Sequence, residues 1–288
     1  MLFSFLIILR EGFEIALILA IVLGYLRRTG NQQHFRSVWL GAGSAAAICV
    51  AAGVGLELLS AELSATAKEA FEGFTMLFAV AVLTWMVFWM RRQAVTIGND
   101  LRHQVDIAIQ GGSLTALVVL AFTSVMREGL ETVLLLFAGA SSNAGSTSLF
   151  LLGAGFGGVI AAFLGYLVYK GSHVLPMRQF FTATALVVIV LAAGMLTNGI
   201  AELQESGLIA NLGVRPWDTD SFISTTTTLG KFLHTLLGYD SAPTWGQIIL
   251  YWSYLGLTLT AFVTGVGAPK PVRASQQART PQTVTAKN

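Results

Sequence analysis

The chain has 288 residues, of which 54% are hydrophobic and only 11% are charged, with a formal net charge of +2. Soluble globular domains carry about 25% charged residues, so this composition excludes an ordinary soluble enzyme. The apolar residues fall in continuous runs that are long enough to cross a bilayer, which accommodates only helices and closed barrels. Because the runs are continuous rather than alternating, the sequence predicts an all-α integral membrane protein.

Seven apolar runs predict seven transmembrane helices, at about 2–26, 38–58, 70–90, 114–138, 149–169, 180–201 and 246–268. We expect residues 1–268 to form a single membrane domain. Segment 202–245 is its predicted outer loop, and 269–288 is a predicted disordered cytoplasmic tail.

The basic residues divide unequally between the two sides of the predicted membrane. Alternate loops and the tail hold twelve of the seventeen Lys and Arg residues, whereas the opposite side holds only Lys68, Arg215 and Lys231. Since basic loops stay on the cytoplasmic side, the pattern predicts an outer N-terminus and a cytoplasmic C-terminus. The only cysteine, Cys49, lies within an apolar run, which argues against a disulfide or a thiolate metal site.

Two short motifs recur in the same order. REGFE at 10–14 reappears as REGLE at 127–131, and LGAG at 40–43 reappears at 152–155. A unit of three spans, about 2–90, is therefore repeated at about 114–201, and the seventh span is extra. An odd number of spans makes the second copy run the opposite way across the membrane. Such inverted repeats are typical of secondary transporters, which bind their substrate near the membrane midplane.

The REGxE motifs place six charged residues in the middle of predicted spans: Arg10, Glu11, Glu14, Arg127, Glu128 and Glu131. Each costs about 2.5–3.5 kcal/mol in lipid, so they must face protein or water and pair with one another. Helical spacing places each arginine and its glutamates on one face. Each motif carries a surplus carboxylate, which suits a hard cation with oxygen ligands. The alternative is a structural ion-pair network that fixes two helices.

The two motifs resemble the oxidase-dependent iron permease family, the high-affinity iron permeases of fungi and their bacterial relatives. Further segments support the resemblance: FEG at 71–73, LTWMVFWM at 83–90, AAGMLTNGIAELQESGLI at 192–209 and GYDSAPTWGQIILYWSYL at 238–255. The resemblance implies iron uptake, with Glu11, Glu14, Glu128 and Glu131 as metal ligands and Arg10 and Arg127 as their ion-pair partners. Relatives often have a histidine before the ELQE segment, where this chain has Ala201.

Acidic residues concentrate on the predicted outer side, where a negative surface attracts cations. Glu72 lies about one turn inside the predicted third span, and we expect it to act as a metal ligand on the inward path. Glu202 and Glu205 share a helix face at the outer end of the sixth span and are candidate acids of the same mouth. An acidic exposed loop without any ligand role is the alternative.

These features together predict a multi-pass permease of the cell inner membrane that imports iron. The resemblance implies ferric ion, with an external oxidase or a periplasmic iron-binding protein as partner. We expect no permanently bound cofactor, no nucleic-acid partner and no enzymatic activity, since the sequence contains no nucleophile constellation or nucleotide-binding motif. Two alternatives stay open: an importer of another cation such as lead or manganese, and a membrane scaffold or sensor of an oxidase complex.

Overall fold

The structure is a computed structural model, and it describes residues 1–93, 97–110, 114–141, 147–171, 177–210, 213–220, 222, 224, 227, 230, 233–234 and 237–265. Within this part of the chain every long element is an α-helix, which confirms the predicted all-α class. The predicted tail at 269–288 lies outside the described residues.

Eight helices follow one another along the described chain. They are α1 (Leu2–Arg28), α2 (Phe35–Glu62), α3 (Ala65–Gln93), α4 (Ile97–Gln110), α5 (Leu114–Ser141), α6 (Thr147–Tyr169), α7 (Met177–Glu205) and α8 (Trp245–Val263).

Five of these helices, namely α2, α3, α6, α7 and α8, are long and apolar enough to cross a membrane. The other two long helices, α1 and α5, have 27 and 28 residues, but each contains three charged residues of an REGxE motif. All seven coincide with predicted spans, and the count of seven crossings stays a prediction.

Helix α4 was not among the predicted elements, since the sequence analysis treated 91–113 as a loop. The helix is amphipathic: Leu101, Val105 and Ala108 are buried against α1 and α5, while Asp100 and Gln104 flank this face and are exposed. Its spacing of apolar residues is that of a surface helix rather than a span.

The first helix of each repeat packs along the second helix of the other repeat. Gly12 of α1 faces Ala161 of α6, where an added Cβ would lie 3.2 Å from the alanine Cβ. The equivalent positions in the other pair are Gly129 of α5 and Cys49 of α2, and they too are in contact. Small residues at these points allow the helix backbones to approach closely.

Equivalent contacts also occur at the N-terminal ends of the two helix pairs. A Cβ on Gly41 of α2 would collide with the carbonyl oxygen of Val118 in α5, and one on Gly153 of α6 would collide with that of Met1 at the start of α1. In both pairs, residues further along one helix contact residues further along the other, so α1 runs parallel to α6 and α2 runs parallel to α5.

The third helices of the repeats pack against each other. Gly73 of α3 meets Leu203 and the backbone of Gly199 in α7. Near the middle of α7, Gly194 leaves room for the turn at Gly238: a Cβ on Gly194 would lie 2.7 Å from the Gly238 nitrogen. Gly238 has φ +65°, a conformation that glycine adopts without strain.

Candidate metal site

The first REGxE motif forms a buried ion-pair group in the middle of α1. The Arg10 guanidinium lies 2.5 Å from Glu11 Oε1 and 3.3 Å from Glu14 Oε1. All three side chains are buried, and the arginine is only 2% exposed. Because an isolated charge is costly in this environment, the close pairing is what allows the three to remain there.

The guanidinium of Arg10 also contacts two thioethers of α3. It donates hydrogen bonds to Met86 Sδ at 3.1 Å and to Met90 Sδ at 3.0 Å. Thioether sulfur is a weak acceptor, so these contacts orient the guanidinium without competing with the carboxylates for its charge.

The second motif has the same residues in a looser arrangement. Arg127 Nε lies 3.9 Å from Glu128 Oε1 and 3.3 Å from Glu131 Oε1, and the arginine side chain is 37% exposed. Its guanidinium carbon lies 3.8 Å from the ring centroid of Trp89 and 5.7 Å from that of Trp85. A cation over an indole face is attracted by the ring. Arg127 therefore interacts with Trp89 as well as with its own glutamates, and its contact with Glu128 is longer than that of Arg10 with Glu11.

The two motifs meet through their glutamates. Carboxylate oxygens of Glu11, Glu128 and Glu131 all lie within 4.8 Å of one another, close enough to hold one metal ion. Each of these three residues has a buried Oε2 without a hydrogen-bond partner. Converging buried carboxylate oxygens without donors are ready to bind a cation, since desolvated anions without partners are costly.

Glu14, the fourth predicted ligand, lies beside this cluster rather than within it. It is 6% exposed, pairs with Arg10 and lines a cavity that also reaches Glu128. The structure therefore brings together three of the four motif glutamates and leaves the fourth next to them.

The other predicted acids lie elsewhere, where α3 begins and α7 ends. Glu72 pairs with Lys68, whose Nζ lies 3.8 Å from Glu72 Oε1. Glu202 is within electrostatic range of Glu72 and Glu205. These acids form a group of their own and do not extend the carboxylate cluster. Ala201 precedes them and offers no metal ligand.

The contribution of α3 to this site was not predicted from the sequence. Neither the tryptophans nor the methionines of this helix were among the predicted site residues. The signal was the segment LTWMVFWM, in which both tryptophans and both methionines are four residues apart. That spacing places Trp89 on the face towards Arg127 and Met86 and Met90 on the face towards Arg10.

Comparison with known proteins yields a match along nearly the entire chain. The model of the iron permease FTR1 family matches residues 1–268. A ferrous iron permease EfeU from Escherichia coli O6:K15:H31 (strain 536 / UPEC) is 36% identical over 261 residues, which cover 90% of this chain and 94% of that protein. The proteins of the same name from Shigella sonnei and Yersinia pestis are each 36% identical over 260 residues, covering 90% of this chain and 94% and 92% of theirs. No solved structure matches the chain.

Proposed function

Because this chain belongs to the iron permease FTR1 family, we propose that it imports iron through the cluster of Glu11, Glu128 and Glu131. The observation that carries the proposal is the meeting of these carboxylates, from two different helices, with their unpartnered oxygens. Oxygen ligands suit a hard cation, and a site shared by both repeats can change access when one repeat moves against the other.

An inverted repeat is supported by the directions of the helices. A short connection at 29–34 reverses the chain between α1 and α2. If both repeats ran the same way, α6 would follow the direction of α2 and oppose α1. Instead α6 runs parallel to α1, and α5 runs parallel to α2. We therefore propose three helices per repeat related by inversion, with α8 as the seventh span.

We propose that the protein lies in the inner membrane of the cell. In the proposed orientation the N-terminus is outside and the C-terminus is in the cytoplasm. The distribution of Lys and Arg supports it. On this orientation Glu72, Glu202 and Glu205 surround the outer end of α3 and α7, where their charge concentrates cations before they enter.

The proposed cargo is ferric ion, supplied by an external oxidase or a periplasmic iron-binding protein. The relatives from Escherichia, Shigella and Yersinia are named ferrous iron permeases. Three carboxylates with few neutral donors suit the harder ferric ion, and an external oxidase would connect a ferrous supply with a ferric cargo.

The test is uptake of radioactive iron by cells that lack other iron importers. We expect Glu11→Gln and Glu128→Gln each to abolish uptake, since glutamine keeps the size and removes the charge. Glu62→Gln is the matched control, because Glu62 is an exposed residue at the end of α2, outside the cluster. Normal uptake by either cluster variant, at equal protein level in the membrane, would refute the shared site.

Two further arms separate the alternatives. An excess of lead or manganese that suppresses uptake by direct competition would identify a broader metal importer. Import of ferrous ion at the full rate, without any oxidase, would contradict the proposed ferric cargo. A scaffold or sensor would show no uptake by the unaltered protein.

A further inference from the structure

A cavity of about 310 Å³ extends from the two motifs towards one end of the fold. On α1 it reaches Glu14 and Leu17, on the C-terminal side of the motif, and on α5 it reaches Thr123 and Ser124, on the N-terminal side. These helix ends belong to the side where most Lys and Arg residues lie, which is the proposed cytoplasmic side.

The opposite half of the molecule is closed by an apolar cluster. Phe3 and Ile7 of α1 are buried there, together with Leu135 of α5 and Met76 of α3. Each of these four is at most 1% exposed. Packed apolar side chains thus lie on the proposed outer side of the carboxylate cluster, whereas the cavity lies on the other side.

Helix α4 forms the far wall of the cavity. Asp100 and Gln104, one turn apart, line it. The helix is fastened by its buried Leu101 and by the Tyr25 hydroxyl of α1, which donates a hydrogen bond to Asp106 Oδ1 at 2.6 Å. Asp100 therefore stands across a cavity from Glu14 and Glu128, in a helix whose place is fixed by other residues.

Two carboxylates in the cavity wall have an oxygen without a hydrogen-bond partner. Glu128 is 5% exposed with a free Oε2, and Glu14 is 6% exposed with an Oε1 that makes an ion pair but no hydrogen bond. Arg127 lies in the same wall, with its guanidinium over Trp89. The polar groups of the cavity lining are therefore these two carboxylates, the Arg127 guanidinium, hydroxyl and amide groups, and one exposed carboxylate, that of Asp100.

We propose that this cavity is the cytoplasmic release vestibule of the transport path, and that Asp100 is the carboxylate that receives the metal cation as it leaves Glu14 and Glu128. The inference rests on the proposed function and extends it to α4, which lies outside the REGxE motifs. Graded acids along an exit lower the cost of leaving a buried anionic site, since a cation passes between partners instead of losing them at once.

The first test measures the maximal rate and the half-saturating concentration of iron uptake for Asp100→Asn. We expect a maximal rate lower by roughly two- to fivefold, in line with one partly exposed ion pair, and an unchanged half-saturating concentration, since the outer acids and the cluster are intact. Asp106→Asn removes the same charge from the same helix and keeps an acceptor for Tyr25, so it should transport like the unaltered protein. Equal rates for both variants would overturn the role of Asp100.

The second test locates the cavity mouth without relying on transport. In a Cys49→Ala background, Ser124→Cys should react with a membrane-impermeant maleimide in inside-out vesicles and not in right-side-out vesicles. Val80→Cys, in the apolar cluster, should react in neither. Labelling of position 124 from the outside alone would overturn the vestibule. An absence of iron uptake by the unaltered protein, with the predicted labelling, would instead refute the proposed function and leave standing only the opening of the cavity to the cytoplasmic side.

Discussion

The two motif arginines have the same sequence context, but the structure predicts very different consequences for their replacement by glutamine. Arg10 is 2% exposed and lies 2.5 Å and 3.3 Å from two carboxylates that are themselves at most 7% exposed. Removing one partner of a buried ion pair costs about 3–5 kcal/mol, because the remaining charge is left uncompensated. Arg10→Gln should therefore destabilise the protein severely.

Arg127 is 37% exposed, and its nearest carboxylate oxygen lies at 3.3 Å. An ion pair whose arginine is partly exposed contributes about 0–1 kcal/mol and a cation over an aromatic ring about 0.5–1 kcal/mol, so we expect Arg127→Gln to cost about 0.5–2 kcal/mol. At about 2–4 °C per kcal/mol, the Tm should fall by about 6–20 °C for Arg10→Gln and by about 1–8 °C for Arg127→Gln.

The chain offers a convenient assay for this comparison. Cys49 is its only cysteine and is 5% exposed, so a thiol-reactive dye reports unfolding of the detergent-solubilised protein. Adding Glu11→Gln to Arg10→Gln should recover part of the lost stability, because it removes one of the uncompensated charges. Equal Tm losses for the two arginine variants, or a larger loss for Arg127→Gln, would refute the assigned difference between the motifs.

Further predictions concern helix packing and the stack on Arg127. Gly41→Ala should lower the free energy of unfolding by about 1–3 kcal/mol, since the added Cβ would collide with the backbone of α5. Gly43→Ala has open space around it and should be neutral or slightly stabilising. The same dye assay compares the two variants, and equal Tm values would contradict the packing. Trp89→Leu should reduce iron uptake more than Trp85→Leu, because the guanidinium of Arg127 lies 3.8 Å from the first ring and 5.7 Å from the second. Equal uptake by both tryptophan variants would contradict a role for the stack.

Much of the helical architecture could be predicted because apolar runs of span length allow few alternatives. All seven predicted spans coincide with long helices, and the repeated glycines at 41 and 153 occupy equivalent contacts. Helix α4 was not predicted because it has too few apolar residues for a span, and its amphipathic pattern extends over only 14 residues. Only packing against α1 and α5 fixes it as a wall of the cavity.

The candidate site also combines features that the sequence predicts with features that it does not. Spacing within REGxE predicted that each arginine pairs with its own glutamates, and both motifs do so. Spacing does not predict that the two motifs differ, because the difference comes from α3. Its methionines contact Arg10 and its tryptophans stack on Arg127, so identical motifs acquire different surroundings.

The central claim is that this chain alone moves iron through the carboxylate cluster. The most direct measurement is iron influx into liposomes that contain only the purified protein, with iron supplied in each oxidation state in separate experiments. We expect influx with the unaltered protein and with Glu62→Gln, and none with Glu128→Gln. No influx with the unaltered protein in either oxidation state, or full influx with Glu128→Gln, would contradict it.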